Sequence, residues 1–333
     1  MDWGCGGCLA RKVPSTGQDR PATESVSMRT APFDILVAGE INPDLILSGD
    51  VVPVFGQVEQ LVGDARLEVG SSSVIFACGA VRLGLQVVFA GVCGDDLFGQ
   101  FMLREMQGRG VDVSHVRTTA SQRTGLTVIL NRGGDRAILT FPGTMGALRT
   151  ESITPDLLRS ARHVHLSSYF LQTGLQSGLP DLFARARELG LTTSLDTNWD
   201  PAESWHGVSE VLDHTTIFLP NAAEACAISG VADPGAAAAS LATRAQIVAV
   251  KLGADGALGT HRGRTVRVPA LSVHPVDTVG AGDSFDAGFV YGHLRGWQLE
   301  KSLRFAAACG ALSTQRTGGI SAQPTLEEAL RYI

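Results

Sequence analysis

Apolar residues along this chain fall into short, near-continuous runs separated by stretches of helical spacing. Ile35–Ala38 and residues 87–92, 164–166, 217–219 and 247–252 are rich in Val, Ile, Leu and Phe with little polar alternation, which is how strands buried on both faces read. Between them, Phe98, Met102, Glu105 and Met106 recur at helical intervals, and Leu182, Phe183, Ala186 and Leu189 do so ahead of Gly190, a stop signal. The run of alanines at 236–239 favours another helix. Strand and helix in alternation predict an α/β fold with a mostly parallel sheet flanked by helices.

Two stretches break that rhythm. Residues 44–69 and 124–141 are strand-rich, with Leu126, Val128 and Leu130 alternating against Thr127, Ile129 and Asn131 before a turn at Gly133 and Gly134 and a second run from Arg136. They predict a small β layer at the edge of the main sheet. Ligands of open α/β sheets bind beyond the carboxyl ends of the strands, so a layer placed there would act as a lid.

Composition then removes several function classes. The 333 residues are 44% hydrophobic and 18% charged, ordinary for an enzyme with a sizeable core. A net charge of −6 offers no positive field to nucleic acid or anionic lipid, and no apolar run nears the roughly 20 residues that span a bilayer. Six cysteines dispersed over this length make no disulfide scaffold and point to a reducing, cytoplasmic setting. Residues 1–32 lack a long apolar core and are expected to be a disordered extension ahead of one domain over 33–333. Cys5 and Cys8 within it read as two free thiols, because no second pair accompanies them.

The stretch richest in chemistry runs from Asp277 through Thr278, Val279, Gly280, Ala281, Gly282 and Asp283 into a helical pattern carried by Phe285 and Phe289. A glycine-rich loop feeding a helix N-terminus leaves the amides of Gly280, Ala281, Gly282 and Asp283 free to converge on an anion, which the helix dipole also favours. Phosphoryl transfer asks mainly for positioning, charge neutralisation and a base for the attacking hydroxyl, and Asp283 stands where that base is needed. Alone, such a segment reads equally as a capped helix start. There is no GxxxxGK[ST] phosphate loop, and no GxGxxG follows the first strand.

Residues 277–289 resemble the second signature of the ribokinase-like carbohydrate kinases, the PfkB family, and the likeness extends over roughly residues 33–330. Gly39, Glu40, Ile41, Asn42, Pro43 and Asp44 resemble the family's first strand and its substrate-binding Asp, and residues 84–112 its first signature region. Asn221 and Glu224 match its Asn-x-x-Glu motif, and Lys251, Gly253 and Gly256 its nucleotide loop. The resemblance implies a Rossmann-like sheet with a small β lid and an ATP- and Mg²⁺-dependent transfer to a hydroxyl of a small sugar or sugar-acid. Asp283 would be the base, and Gly280, Ala281 and Gly282 the anion hole. It further implies that Asn42, Asp44, Gly70 and Ser71 bind substrate, that Asn221, Lys251, Gly253, Gly256 and Thr278 bind nucleotide, and that Glu224 with Asn221 organises Mg²⁺ through waters. Asp277 with the Thr317, Gly318, Gly319 loop resembles the K⁺ site of part of the family, and the lid implies a homodimer.

Departures from the family pattern bear on specificity. Ile75 stands where an amide ordinarily meets a sugar hydroxyl, so free ribose is expected to be a poor substrate. Ala307 replaces an Asn common near the adenine pocket, and after Asp196, Thr197 and Asn198 the usual Arg gives way to Asp200 and Pro201. A nucleoside or vitamin-like alcohol kinase, and a sugar sensor without catalysis, remain as alternatives.

Overall fold

A strand with no polar face must be covered twice, and the first strand shows how. Ile35 and Val37 enter one apolar cluster while Leu36 and Ala38 enter another on the opposite side, all fully buried. The computed structural model describes residues 1, 3, 4, 31–133 and 135–333. The expected extension over 1–32, with Cys5 and Cys8, lies almost entirely outside the described residues, as does Gly134 of the expected turn.

In chain order the strands are β1 (Ile35–Ala38), β2 (Pro43–Ser48), β3 (Asp64–Val69), β4 (Val87–Gly94), β5 (Asp112–Thr119), β6 (Leu126–Arg132), β7 (Asp135–Phe141), β8 (His163–Leu166), β9 (Thr192–Leu195), β10 (Ile217–Phe218), β11 (Ile247–Lys251), β12 (Ala257–His261) and β13 (Arg264–Val268). Nine of them form one sheet in the order β13-β12-β11-β10-β9-β8-β1-β4-β5. Pairing is parallel from β5 to β11 and antiparallel only across β11, β12 and β13. Helices Ser72–Arg82, Ala281–Leu294 and Leu299–Ser313 cover one face, and Leu179–Glu188 and Pro234–Leu241 the other. The predicted fold class and helical segments are therefore those observed.

The two strand-rich stretches join in a second sheet, ordered β3-β2-β6-β7. Within 44–69, however, only the ends are strands; residues 49–63 form an irregular connection that exposes Phe55 and Leu61. Asp44, Glu68, Thr127 and Thr140 lie opposite one another across the four strands and so share one face. That face carries the substrate residue expected from the sequence.

One feature of the main sheet escaped the apolar pattern. His163 and His165 on β8 are fully buried, and a row of 2.7 Å hydrogen bonds links Thr192 Oγ1 to His163 Nδ1, His163 Nε2 to Ser194 Oγ, Ser194 Oγ to His165 Nδ1, and His165 Nε2 to Ser167 Oγ. Burial holds both imidazoles well below their ordinary pKa, His165 at about 3, so they are neutral. Polar residues can occupy a strand interior only when satisfied like this.

Candidate active site

The carboxyl ends of the parallel strands deliver side chains to one place. Glu40 follows β1, Ser167 and Ser168 follow β8, Asp196 follows β9, Asn221 lies just past β10, and Lys251 ends β11. Above them stands the N-terminus of helix Ala281–Leu294. Strand ends that part around a reversal in strand order form the crevice where ligands of open α/β sheets bind.

Gly280 precedes this helix at φ 72°, a left-handed conformation, and a Cβ there would stand 2.7 Å from the carbonyl oxygen of Gly319 and 2.9 Å from Ile75 Cγ2. Only glycine fits. The Ala281 amide donates to the Thr278 carbonyl at 3.3 Å, whereas the Gly280, Gly282 and Asp283 amides have no backbone acceptor among the described residues. The expected anion hole thus keeps three open donors, at Gly280, Gly282 and Asp283.

Asp283 is buried, and its pKa is raised to about 8, first by burial and next by the negative charge of Asp196, against the pull of Lys251 and a hydrogen bond with Ser72. Beneath it lies a buried ionic cluster. Lys251 Nζ stands 2.9 Å from Asp196 Oδ2 and 3.1 Å from Asp286 Oδ2. Burial opposes the charge of Lys251, yet Asp196, Asp286 and Glu224 outweigh it and push its pKa up. The two carboxyls diverge: burial raises Asp286 well above the ordinary range, while Lys251 and neighbouring hydrogen-bond donors bring Asp196 below it despite its burial. The Asp286–Lys251 contact has the geometry of an ion pair. One ammonium cannot neutralise two carboxylates in a dry pocket, though, so we take Asp286 as a neutral acid beside the Asp196–Lys251 pair. Asp286 Oδ1 has no hydrogen-bond partner among the described residues.

Asn221 and Glu224 form a complete capping box at the start of helix Ala222–Ser229. The Glu224 amide donates to Asn221 Oδ1 at 2.9 Å, and the Asn221 amide donates to Glu224 Oε2 at 2.9 Å. Glu224 is buried, and its pKa is raised to about 7 by burial and by Asp196. Four carboxyls, Asp196, Glu224, Asp283 and Asp286, therefore surround a single ammonium, and one oxygen from each of Asp196, Asp283 and Asp286 lies within 4.8 Å of the other two. That surplus of acid suits a divalent cation.

A cleft of about 580 Å³ opens beside the helix N-terminus, and Lys251, Gly253, Gly256, Thr278, Ala281 and Gly282 all line it, together with Ala307. Asn221 does not. Across the site, Asn42 and Asp44 are buried, and the Asn42 side-chain amide reaches Asp44 Oδ1 at 3.5 Å and Thr127 Oγ1 at 3.3 Å. The pKa of Asp44 is raised to about 7, chiefly by burial, with Arg136 opposing and Asp277 and Glu68 reinforcing. Gly70 lets that carboxylate approach: a Cβ there would stand 2.1 Å from Asp44 Oδ1. Both oxygens of Asp277 accept amides, from Val279 and Gly318, each at 3.0 Å, which ties it to the 317–319 loop.

Two expectations change at the substrate loop. Ser71, at φ 68°, turns its hydroxyl to the Glu40 carbonyl at 2.7 Å and to Glu40 Oε1 at 3.0 Å while capping Val74. It is Ser72 that faces the site, held by Asn198 Nδ2 at 2.6 Å and hydrogen-bonded to Asp283. Ile75, expected to face a sugar hydroxyl, is 3% exposed and packs against Gly280 and Gly319 beneath the anion hole. Glu40 and Asp286 were given no role from the sequence. Asp286 alone left a signal there, since it lies one helical turn past Asp283.

A family model for pfkB family carbohydrate kinases matches residues 34–326. An uncharacterized sugar kinase of Archaeoglobus fulgidus is 33% identical over 248 residues, covering 74% of this chain and 98% of that protein. The ATP-dependent ribose-1-phosphate kinase of Halopiger xanaduensis is 32% identical, covering 90% of this chain and 97% of the relative. Among solved structures, Arabidopsis thaliana ribokinase complexed with ribose and ATP superposes with a TM-score of 0.79 at 23% identity, over 90% of this chain and 98% of that one, a likeness of fold. The chain belongs to the pfkB family of carbohydrate kinases. Among the described residues, no helix is long and apolar enough to cross a membrane.

Proposed function

We propose that this kinase transfers the terminal phosphoryl group of ATP to a hydroxyl of a small sugar or sugar-acid, with Asp283 accepting the proton. The observation that carries this reading is the position of Asp283. It follows Ala281 and Gly282, which line a nucleotide-sized cleft, and it is hydrogen-bonded to Ser72, two residues past the Gly70 on which Asp44 packs. ATP as donor is supported by the Halopiger and Arabidopsis relatives, whose names include it.

The division of labour follows from charge. The Gly282 and Asp283 amides would receive the transferred phosphoryl oxygens. Lys251 Nζ, within 3.6 Å of where a Gly282 Cβ would stand, adds a fixed positive charge below them. Asp44, as carboxylate, accepts hydrogen bonds from sugar hydroxyls and orients the nucleophile toward Asp283. Glu224 and Asn221 would hold Mg²⁺, and Asp196 adds negative charge nearby while neutral Asp286 can donate a proton in hydrogen bonding; the bound ion would neutralise developing phosphate charge and favour ionised Asp283. A cytoplasmic setting supplies both ATP and Mg²⁺.

An ADP-release screen of purified protein over pentoses, hexoses, ketodeoxy acids and nucleosides tests the activity. Asp283→Asn should lower turnover on the best substrate by about 10²-fold or more while ATP still binds. Near-normal turnover of that variant would remove Asp283 from the role.

The lid should also join two copies of this chain. Phe55, Leu61, Leu139 and Phe141 are 95%, 84%, 59% and 52% exposed on or beside its sheet, a density of bare apolar side chains that calls for a cover. Light scattering should show a dimer that Phe55→Asp with Leu139→Asp converts to monomer; a monomeric wild type would discard the idea.

A further inference from the structure

Behind the anion hole, on the side away from the nucleotide cleft, a second opening of about 460 Å³ is lined by Arg82, Arg109, Ser321, Gln323 and Thr325 and by no carboxylate. A neighbouring cleft of about 320 Å³ shares Arg82 and adds Arg316, along with Arg331, which is paired with Glu327 at 2.7 Å. Glu328 lines that neighbour, but its carboxylate is spent on the Thr325 amide at 2.7 Å and hydroxyl at 2.9 Å. Arg82 and Arg316 form no ion pair within 4 Å among the described residues, although the Glu328 charge acts on Arg82, and Arg109 meets Glu105 only at 3.7 Å between half-exposed side chains. Such a pair binds weakly. Arg82 offers Nε to the Gln323 carbonyl at 3.4 Å and keeps both terminal nitrogens free.

We propose that this cleft is a regulatory site for a small phosphate ester, with Arg82 and Arg109 gripping the phosphoryl group. Guanidinium forks match phosphate oxygens in geometry and charge, and the hydroxyl of Ser321 supplies a further donor. Arg82 and Arg109, whose acidic neighbours line none of this opening, gain from an anion of this kind.

The same wall reaches the catalytic loop. Gln323 is buried, and its side-chain amide donates to the Ile75 carbonyl at 2.8 Å and to Ser284 Oγ at 3.2 Å. Ser284 adjoins Asp283, and Ile75 packs directly on Gly280 and Gly319. A ligand that shifts residues 320–323 therefore moves the backing of the anion hole through contacts rather than through a long path.

The test uses inorganic phosphate as probe, in calorimetry with Mg²⁺ and a non-hydrolysable ATP analogue saturating the nucleotide cleft. Wild type should bind phosphate, and Arg82→Ala combined with Arg109→Ala should weaken that binding by at least about 10-fold. In turnover assays at saturating ATP, phosphate should change kcat by about 5-fold in wild type, in a manner not competitive with ATP, and leave the double variant unchanged. Gln323→Met should keep phosphate binding and lose the kcat response. Equal phosphate binding by wild type and double variant would overturn the site, leaving the two arginines as caps of their helix C-termini. Binding without a kcat response would overturn its regulatory role. The calorimetric arm needs no turnover, so a failure of the kinase reading would show separately, as absent ADP release.

Discussion

The two ends of the candidate site are built by opposite means. At the phosphate end, buried groups hold one another: Lys251 lies between Asp196 and Asp286, Asn221 and Glu224 cap each other, and Gly280 is wedged between Ile75 and Gly319. At the proposed sugar end, Asp44 hangs from a four-stranded sheet whose outermost strand β7 is exposed along its whole length. Chemistry common to many substrates can rest on a rigid, solvent-free frame. Recognition of one substrate rests on strands whose side chains can be exchanged with little penalty to the core.

Breaking the rigid end should have the largest effect. Lys251→Met leaves Asp196 and its neighbours buried without a cation, and urea unfolding should show a loss of about 3–5 kcal/mol. A loss below about 1 kcal/mol would mean that the carboxyls share protons well enough without the lysine.

A smaller loss is expected where the two ends meet. Ile75→Asn places an amide against Gly280 and Gly319 in an apolar contact, so stability should fall by roughly 1–3 kcal/mol with no gain in the use of ribose. Improved kcat/KM for ribose in that variant would restore the sugar-facing role that the loop pattern suggested.

The comparison also sharpens with pH. Asp44 and Glu224 have pKa values of about 7 and Asp283 about 8 in the folded chain, against about 4 when unfolded. Between those limits the folded state holds more protons, so the stability gained below the unfolded pKa is lost as pH rises through the folded values. The melting temperature of ligand-free protein should be lower at about pH 8.5 than at about pH 5.5, and Asp44→Asn should flatten part of that slope. A flat profile in wild type would show these carboxyls ionised throughout.

The α/β alternation, the lid strands and the positions of Asp283, Glu224 and Lys251 could be read from pattern and motif because each depends on residues close in sequence. The partners of Lys251 could not: Asp196 is 55 positions away and Asp286 35; the parallel order of β9, β10 and β11 brings in the first, and the packing of helix Ala281–Leu294 on the sheet the second. The exchange of Ser71 for Ser72 has a local cause that the sequence conceals. A serine at φ 68° rotates the loop entering the helix, and nothing about a run of serines says which will take that strained conformation. Buried His163 and His165 were unreadable for a related reason, since their satisfaction depends on Thr192 and Ser194 across the strand pair.

That histidine row carries a directional memory. Each neutral imidazole has one hydrogen to give, and so does each hydroxyl, while Ser194 Oγ touches both rings. If Ser194 donates to His165, then His165 must donate to Ser167, and His163 must donate to Ser194 and accept from Thr192. If Ser194 turns to His163, every one of these arrows reverses. The tautomers of two rings on the same strand are thus locked together, and the sheet interior holds a single binary orientation that Ser194→Ala would split into two independent ones.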